Sequence, residues 1–319
     1  MYKKIIFLLC SIVFVSCNED AKIEKEIAEV PVDFEVVRFD RKFAEATPNN
    51  LNELKKQYPK LFPKQFPDNV WIEKMGDTIQ QEIDAEVGKA FPLFENQKAK
   101  LHSLFQHIKY YFPKFEAPKV FTLTSEVDYK NKVILQDDYL FISLDTYLGE
   151  DHHFYVGIQE FLKKNFKKDQ IIPDVANAYA EKYVERPRSR TFLAHMVYYG
   201  KLLYLKDKFI PETADAEKIG YTEDEFTWAQ NNETQIWRYF VENELFFDTD
   251  TELYSRFLYP APFSKFYLQL DAESPAKLGQ YIGWQIVRNY MEKTNASIEE
   301  MINTDAETIF NKANFKPRK

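Results

Sequence analysis

Cysteine and glycine are scarce in this sequence, and positive charge is not in excess. The 319 residues include two cysteines and eight glycines, and 50 Asp and Glu outnumber 42 Lys and Arg, which gives a net charge of −8. So few cysteines exclude a disulfide framework. A negative chain lacks the basic face that nucleic acids require, so we expect no nucleic-acid partner. The scarcity of glycine argues against glycine-rich phosphate-binding loops.

Long apolar runs are also lacking, apart from one short run at the start. The run from Ile5 to Val15 follows Lys3 and Lys4. It is too short to cross a bilayer as a helix, but its length and its basic flank are typical of a signal peptide. No second apolar run of transmembrane length follows Pro31.

A cysteine directly follows this run. The small residue Ser16 precedes Cys17, as the processing of bacterial lipoproteins requires. We predict that residues 1–16 are a lipoprotein signal peptide and that Cys17 is lipidated and anchors the chain to a membrane. The alternative is an ordinary secretory signal with an incidental cysteine. The charged residues 17–30 are predicted to be the lipidated N-terminus and a flexible tether, and residues 31–319 a single globular domain.

Short runs rich in β-forming residues lie near the middle of the sequence. Val120–Thr124, Lys132–Leu135 and Tyr139–Leu144 are separated by polar turns, of which Asp137-Asp138 has the composition of a hairpin turn. Phe34–Phe39 is a candidate first strand. Most of the remaining sequence has helical periodicity. We therefore predict an α+β fold that is mainly helical with one small central β-sheet, antiparallel or mixed.

Several helix starts are marked by a capping residue. The predicted starts are Thr222 with Glu225, Ser274 with Pro275, Ser297 with Glu300, and Thr304 with Glu307. The first of these helices is predicted to continue to Leu245. Gly279 and Gly283 form a G-x-x-x-G pattern, which outside a membrane indicates close helix packing.

No established catalytic or cofactor motif is present. The sequence lacks H-E-x-x-H, G-x-x-x-x-G-K-[ST], G-x-S-x-G and G-x-G-x-x-G. His102 and His107 are five residues apart and so diverge around a helix. We predict no catalytic residue, no metal and no cofactor.

One polar loop after the last predicted strand is the best candidate for a metal site. Carboxylates and imidazoles crowd it at Asp145, Glu150, Asp151, His152 and His153. The favoured interpretation is a solvated loop in which Asp145 or Asp151 caps a helix. The alternative is a divalent metal bound by these residues or by His195. His195 lies in an aromatic segment and is itself predicted to be a hydrogen-bonded core histidine.

Six stretches in this order resemble the gliding-motility lipoprotein GldB family of Bacteroidetes. They are Phe141–His152, Gly200–Tyr204, Ile219–Tyr221, Asn232–Trp237, Ala261–Ser264 and Leu278–Val287. The resemblance implies a cell-envelope lipoprotein needed for gliding and coupled to the type IX secretion system. Its implied partners are the membrane, through the lipid, and other gliding and secretion proteins. The choice between inner and outer membrane stays open.

The same family is distantly similar to zinc-dependent peptidases. Tyr199 precedes Gly200 where those enzymes would have a glutamate ligand. The resemblance therefore implies a degenerate zincin-like scaffold that has lost its metal.

Three functional hypotheses follow. The favoured one is a noncatalytic, lipid-anchored component of the gliding machinery. The alternative is a divergent metal-dependent hydrolase or peptidase with a nonstandard site. The third is a module that binds a glycan or peptide, which only the 20 tyrosines and four tryptophans suggest.

Overall fold

The structure, a computed structural model, describes residues 21–268 and 271–318. The predicted signal peptide and Cys17 lie outside the described residues. The helices, in chain order, are α1 (21–28), α2 (Phe39–Ala44), α3 (Leu51–Gln57), α4 (Asp68–Gly76), α5 (Thr78–Ala90), α6 (Glu95–Tyr111), α7 (Glu160–Lys163), α8 (Ile171–Tyr183), α9 (Phe192–Phe209), α10 (Asp215–Ile219), α11 (Glu223–Asn231), α12 (Glu233–Glu242), α13 (Glu252–Phe257), α14 (Leu278–Thr294), α15 (Ile298–Asn303) and α16 (Ala306–Ala313).

A small mixed sheet lies near the middle of the chain, as predicted. Its strands are β1 (Val36–Arg38), β2 (Lys119–Leu123), β3 (Val133–Gln136) and β4 (Tyr139–Ser143), in the order β1-β2-β4-β3. β2 is parallel to both β1 and β4, whereas β3 and β4 form an antiparallel hairpin. The turn between them contains Asp137 at φ 51°, which confirms the predicted hairpin turn.

The two faces of this sheet bury different clusters. Val120, Leu140 and Ile142 belong to the main core, which also includes the central helices. Val37 and Phe121 point to the other side, where α2, α3 and the segment up to Phe62 form a second, smaller core. The alternation follows from the two-residue period of a strand. The fold is therefore α+β, as the sequence predicted.

Helices α9 and α14 cross at the centre of the main core with their backbones in contact. A Cβ atom built on Gly200 would lie 2.3 Å from the carbonyl oxygen of Gly283, and one on Gly283 would lie 2.0 Å from that of Met196. Only glycine permits so close an approach. The packing role predicted for Gly283 is thus confirmed.

The predicted helix starts are confirmed at two positions and wrong at two. Thr222 with Glu225 and Ser297 with Glu300 form complete capping boxes. Ser274 does not cap α14, because its buried hydroxyl donates to the carbonyls of Ser264 and Asp271, at 3.1 and 2.7 Å. The helix begins at Leu278 instead.

The last predicted start is displaced by one residue. The Thr304 hydroxyl donates to the Glu300 carbonyl at 2.7 Å, so Asp305 caps α16 by accepting from the Thr308 amide at 2.9 Å.

The helix that was predicted to run from Thr222 to Leu245 is interrupted. Asn232 separates α11 from α12, and its side-chain amide donates to the Trp228 carbonyl at 2.8 Å. Such side-chain bonds to the backbone compete with helix continuation.

Part of the predicted tether lies within the described residues. Residues 21–28 are helical, and Ile27 is only 1% exposed. Helix α6 holds the end of this helix, because the Gln106 amide donates to the carbonyls of Ala28 and Val30, at 2.9 and 3.1 Å. Burial of an apolar side chain explains why a segment of mostly charged residues is ordered here.

None of the helices in the described ranges is both long enough and apolar enough to cross a membrane.

The α9–α14 crossing generates a stability prediction. Gly283→Ala should lower the free energy of unfolding by about 2–3 kcal/mol, because the added methyl group meets backbone that cannot rotate away. Gly88→Ala is the matched control. Gly88 lies inside α5 with nothing within 4 Å of its added Cβ, so this change should be neutral or stabilise by about 0.5–1 kcal/mol. Urea unfolding of both variants tests this, and equal midpoints would contradict the close crossing.

Candidate functional site

The structure buries Asp145 completely rather than leaving it in a solvated loop. Its carboxylate accepts hydrogen bonds from the Ser125 amide at 3.0 Å and the Val127 amide at 2.6 Å. Burial raises the pKa of Asp145, and the bonds from Val127 and Ser125 oppose that rise. Val127 and the preceding Glu126, which lies between the two bonded residues, are both at positive φ. Asp145 therefore fixes the connection that follows β2, and its predicted role as a helix cap is wrong.

The neighbouring histidines pair with helix α5. His152 Nε2 lies 3.4 Å from a Glu86 carboxylate oxygen, and His153 Nε2 lies 3.0 Å from one of Glu82. The two imidazole rings stack with centroids 4.4 Å apart. Each histidine thus has a separate carboxylate partner on α5.

The other residues predicted for the alternative metal site are not grouped with these histidines. Glu150 and Asp151 are exposed. His195 is half-buried in α9, with its ring centroid 4.4 Å from that of Tyr254, and burial lowers its pKa. Within residues 21–268 and 271–318, no three His, Cys, Asp or Glu side chains are grouped as metal ligands. The structure does not assemble the alternative metal site.

A different site is formed by residues for which the sequence predicted no functional role. A cavity of about 370 Å³ opens between α7, α8, α9, α10 and the segment that leads into α14. We call it the cationic cavity, because five lysines line it: Lys132, Lys164, Lys206, Lys218 and Lys277.

Three of these lysines form ion pairs. Lys132 pairs with Asp174, and Lys164 pairs with Glu225 at 2.7 Å. Lys218 contacts Asp207 at 3.1 Å and Asp215 at 3.3 Å.

The carboxylates that hold Lys218 are themselves part of a network. Arg288 donates to Asp207 and to Asp215, in each case at 2.7 Å at its shortest. The Trp284 indole also donates to Asp207, at 2.9 Å. Burial opposes ionisation of Asp215, but the bonds from Arg288 outweigh it and lower the pKa of Asp215. This network joins α9, α10 and α14 into one wall beside the cavity.

The other two lysines have no carboxylate within ion-pair distance among the described residues. Lys206 donates to the carbonyl of Lys218, and Lys277 donates to that of Ile219. These carbonyls end helix α10, where the helix dipole leaves partial negative charge and favours a cation. The side-chain amide of Asn165 donates to the next carbonyl, that of Gly220, at 3.1 Å.

Burial lowers the pKa of both ammonium groups. It lowers the pKa of Lys206 to about 8, with Lys218 and Lys132 acting in the same direction and Asp174 and Glu181 against it.

The shift is larger for the second lysine. Burial, with the nearby charges of Lys164 and Lys206, lowers the pKa of Lys277 to about 7. The cavity thus holds basic groups that are readily switched between charged and neutral forms.

The lysines were missed because they are spread along the chain. They lie between residues 132 and 277 and have no spacing motif. The one available signal is a lysine inside an apolar helical stretch, as at Lys206 after Leu202-Leu203-Tyr204-Leu205. Four of the six stretches that carry the family resemblance contribute to the cavity wall, through Leu202, Gly220, Ala261 and Gln280.

The buried charge of Lys206 predicts how the free energy of unfolding depends on pH. Below pH 8 Lys206 is protonated in both the folded and the unfolded chain, so the folded chain bears the full penalty of burial. Lys206→Met should therefore raise the free energy of unfolding at pH 7 by about 1–3 kcal/mol. Above pH 8 the folded chain releases this proton before the unfolded chain, whose lysine has the ordinary pKa of 10.5. The advantage of the variant should then shrink as the pH rises toward 10.5.

Urea unfolding from pH 7 to pH 10 measures this difference. Lys208→Met is the control, because Lys208 lies in the same helix and does not line the cavity. A difference between wild type and Lys206→Met that does not change with pH would contradict the buried charge.

Comparison with known proteins gives a family for the whole chain. The family described as gliding motility protein GldB matches residues 20–317. No curated protein and no solved structure is significantly similar to the chain. The match includes the sheet, the α9–α14 pair and all five lysines of the cationic cavity. The chain therefore belongs to the gliding motility protein GldB family.

Proposed function

We propose that this protein is a noncatalytic component of the gliding machinery, anchored in the cell envelope by a lipid on Cys17 and coupled to type IX secretion. The observation that carries the proposal is the family match over residues 20–317. The sequence before that match has the basic start, the short apolar run and the cysteine of a lipoprotein signal.

The short distance between Cys17 and the folded domain supports a role at the membrane surface. Helix α1 is already present at residue 21, four residues after Cys17. Four residues span at most about 14 Å when fully extended. Because α1 is held against α6, a lipid on Cys17 would keep the domain close to the bilayer. Its partners would then be other envelope proteins at that surface.

The candidate catalytic residues are already held by hydrogen bonds and ion pairs within the protein, which supports a noncatalytic role. The Asp145 carboxylate accepts hydrogen bonds from backbone amides, and His152 and His153 are each paired with a glutamate of α5. A general base or metal ligand needs a free position toward substrate. None of these three side chains has the arrangement of a nucleophile with its base.

The anchor is tested by substituting the two cysteines separately in gliding cells. Cys17→Ser should move the protein from the membrane fraction to the soluble fraction and abolish colony spreading, because no acyl chain can then be attached. Cys10→Ser is the matched control, since Cys10 lies within the predicted signal peptide and should be removed with it. Membrane retention and normal spreading of Cys17→Ser would overturn the anchor.

The noncatalytic role and the partners are tested on the full chain. Mild crosslinking in gliding cells should recover other gliding or secretion proteins of the envelope, and a repeated blank would contradict the proposal. Elemental analysis of the same protein, purified without a histidine tag or chelator, should show no stoichiometric metal. A stoichiometric transition metal would overturn the noncatalytic part and leave the anchor untouched.

A further inference from the structure

Two lysines of the cationic cavity have unused hydrogen-bond donors. An ammonium group has three donors. Elsewhere in the fold, the buried Lys201 and the exposed Lys293 each use two of them on helix ends: Lys201 donates to Ile302 and Thr304, at 2.8 and 2.7 Å, and Lys293 donates to Ala313 and Asn314, at 2.6 and 3.0 Å.

Lys206 and Lys277, by contrast, each donate to one carbonyl among the described residues. Both line the cavity. Helix capping alone therefore does not account for their donors, and the remaining donors are available to a ligand in the cavity.

The wall of the cavity carries an excess of positive charge. Its five lysines and the adjacent Arg288 stand against five carboxylates, Asp174 and Glu181 in the wall and the ion-pair partners Glu225, Asp207 and Asp215, which leaves an excess of one positive charge. The whole chain has the opposite sign, with a net charge of −8. Such a local reversal in a partly closed site attracts anions.

The donors converge on the end of helix α10. A Cβ atom on Gly220 would lie 3.4 Å from Lys277 Nζ and 3.0 Å from the Asn165 side-chain nitrogen. Lys164 and Lys277 both lie within 6 Å of the ring centroid of Tyr221, at 5.9 and 5.3 Å. Side chains from two segments, Lys164 with Asn165 and Lys277, thus place N–H groups around this helix end, where an anion with several oxygens can accept from them.

One buried acceptor in the same wall has no hydrogen-bond partner among residues 21–268 and 271–318. Gln170 is 3% exposed, and its Oε1 atom accepts no hydrogen bond, whereas its Nε2 atom donates to Asp174 at 3.3 Å. An unpaired buried amide oxygen is costly unless a donor reaches it.

The positively charged residues that line the cavity are compatible with a phosphate group. Of the described residues that line the cavity, none is arginine. Arginine presents a planar fork suited to both carboxylates and phosphates, whereas lysine acts as a point charge, so several lysines can approach the oxygens of one phosphate from different directions. The volume of about 370 Å³ lies at the lower end of the range for small-molecule sites.

We propose that the cationic cavity binds a small phosphate ester, with its phosphate among Lys164, Lys206, Lys277 and Asn165. This inference goes beyond the proposed function and does not depend on the lipid anchor. The phosphate can belong to a soluble ester or to a lipid headgroup. The two sources share the same chemistry at the lysines.

Binding is tested with the full chain, purified in detergent. The probes are inorganic phosphate, glycerol 3-phosphate and a short-chain phosphatidic acid, with potassium chloride at equal ionic strength as the reference. Thermal unfolding and titration calorimetry should show stabilisation and saturable binding. Binding of glycerol 3-phosphate supports a soluble source, and binding of the phosphatidic acid alone supports a lipid source.

Two charge variants should act in opposite directions. Lys164→Gln removes one donor and leaves the negative charge of Glu225, so it should weaken phosphate binding roughly tenfold. Glu225→Gln frees the Lys164 ammonium and should strengthen binding several-fold. It also keeps the capping box of α11, because glutamine serves at that position as glutamate does.

Lys208→Met, outside the cavity, should bind as the wild type does. The proposal is overturned if no probe binds, if potassium chloride stabilises the chain as much as phosphate does, or if Lys164→Gln and Glu225→Gln both bind as the wild type does. A purely structural role of the lysines would not produce opposite changes in affinity from these two variants.

Discussion

Helices α9 and α14 approach so closely at Gly200 and Gly283 that neither position has room for a β-carbon, and the rest of the main core is arranged around this contact. The two helices supply Asp207, Trp284 and Arg288, whose hydrogen bonds tie α10 to both of them. The position of α10 in turn sets where its terminal carbonyls lie. The backbone crossing thereby determines the geometry of the cationic cavity, although it lies outside the cavity itself.

Lysine side chains from this helix pair hold several short helices by their C-terminal ends. Lys201 and Lys206 of α9 reach the ends of α15 and α10, and Lys277 and Lys293, just before and within α14, reach the ends of α10 and α16. Short helices are weak on their own, because few residues share the cost of nucleation. A cation at the negative end of the helix dipole offsets part of that cost, although for Lys206 and Lys277 the burial of the charge outweighs this gain. Where the cation also borders a cavity, the same arrangement creates a site for an anion.

The local features of this fold could be predicted from sequence, and the long-range ones could not. The hairpin at Asp137 and the capping box at Thr222 depend on residues a few positions apart, so their patterns are visible in the chain. Ser274 has the composition of a cap, but its hydroxyl is used by Ser264, ten residues away. The cationic cavity depends on lysines spread between residues 132 and 277, and their positions in the sequence follow no recognisable spacing. The lipidation of Cys17 stays a prediction.

The sheet is covered on its second face by a much smaller layer than on its first. That layer consists of seven buried side chains contributed by β1, β2 and the segment from α2 to Phe62. Opening it removes far less apolar surface from contact than opening the main core does, so it costs less free energy. Amide hydrogens in α2 and α3 are therefore expected to exchange with solvent through local opening, while those at the α9–α14 crossing exchange only when the whole domain unfolds. During such an opening the sheet exposes the stacked rings of Phe121, Tyr139 and Phe141, a transient aromatic surface on an otherwise intact protein.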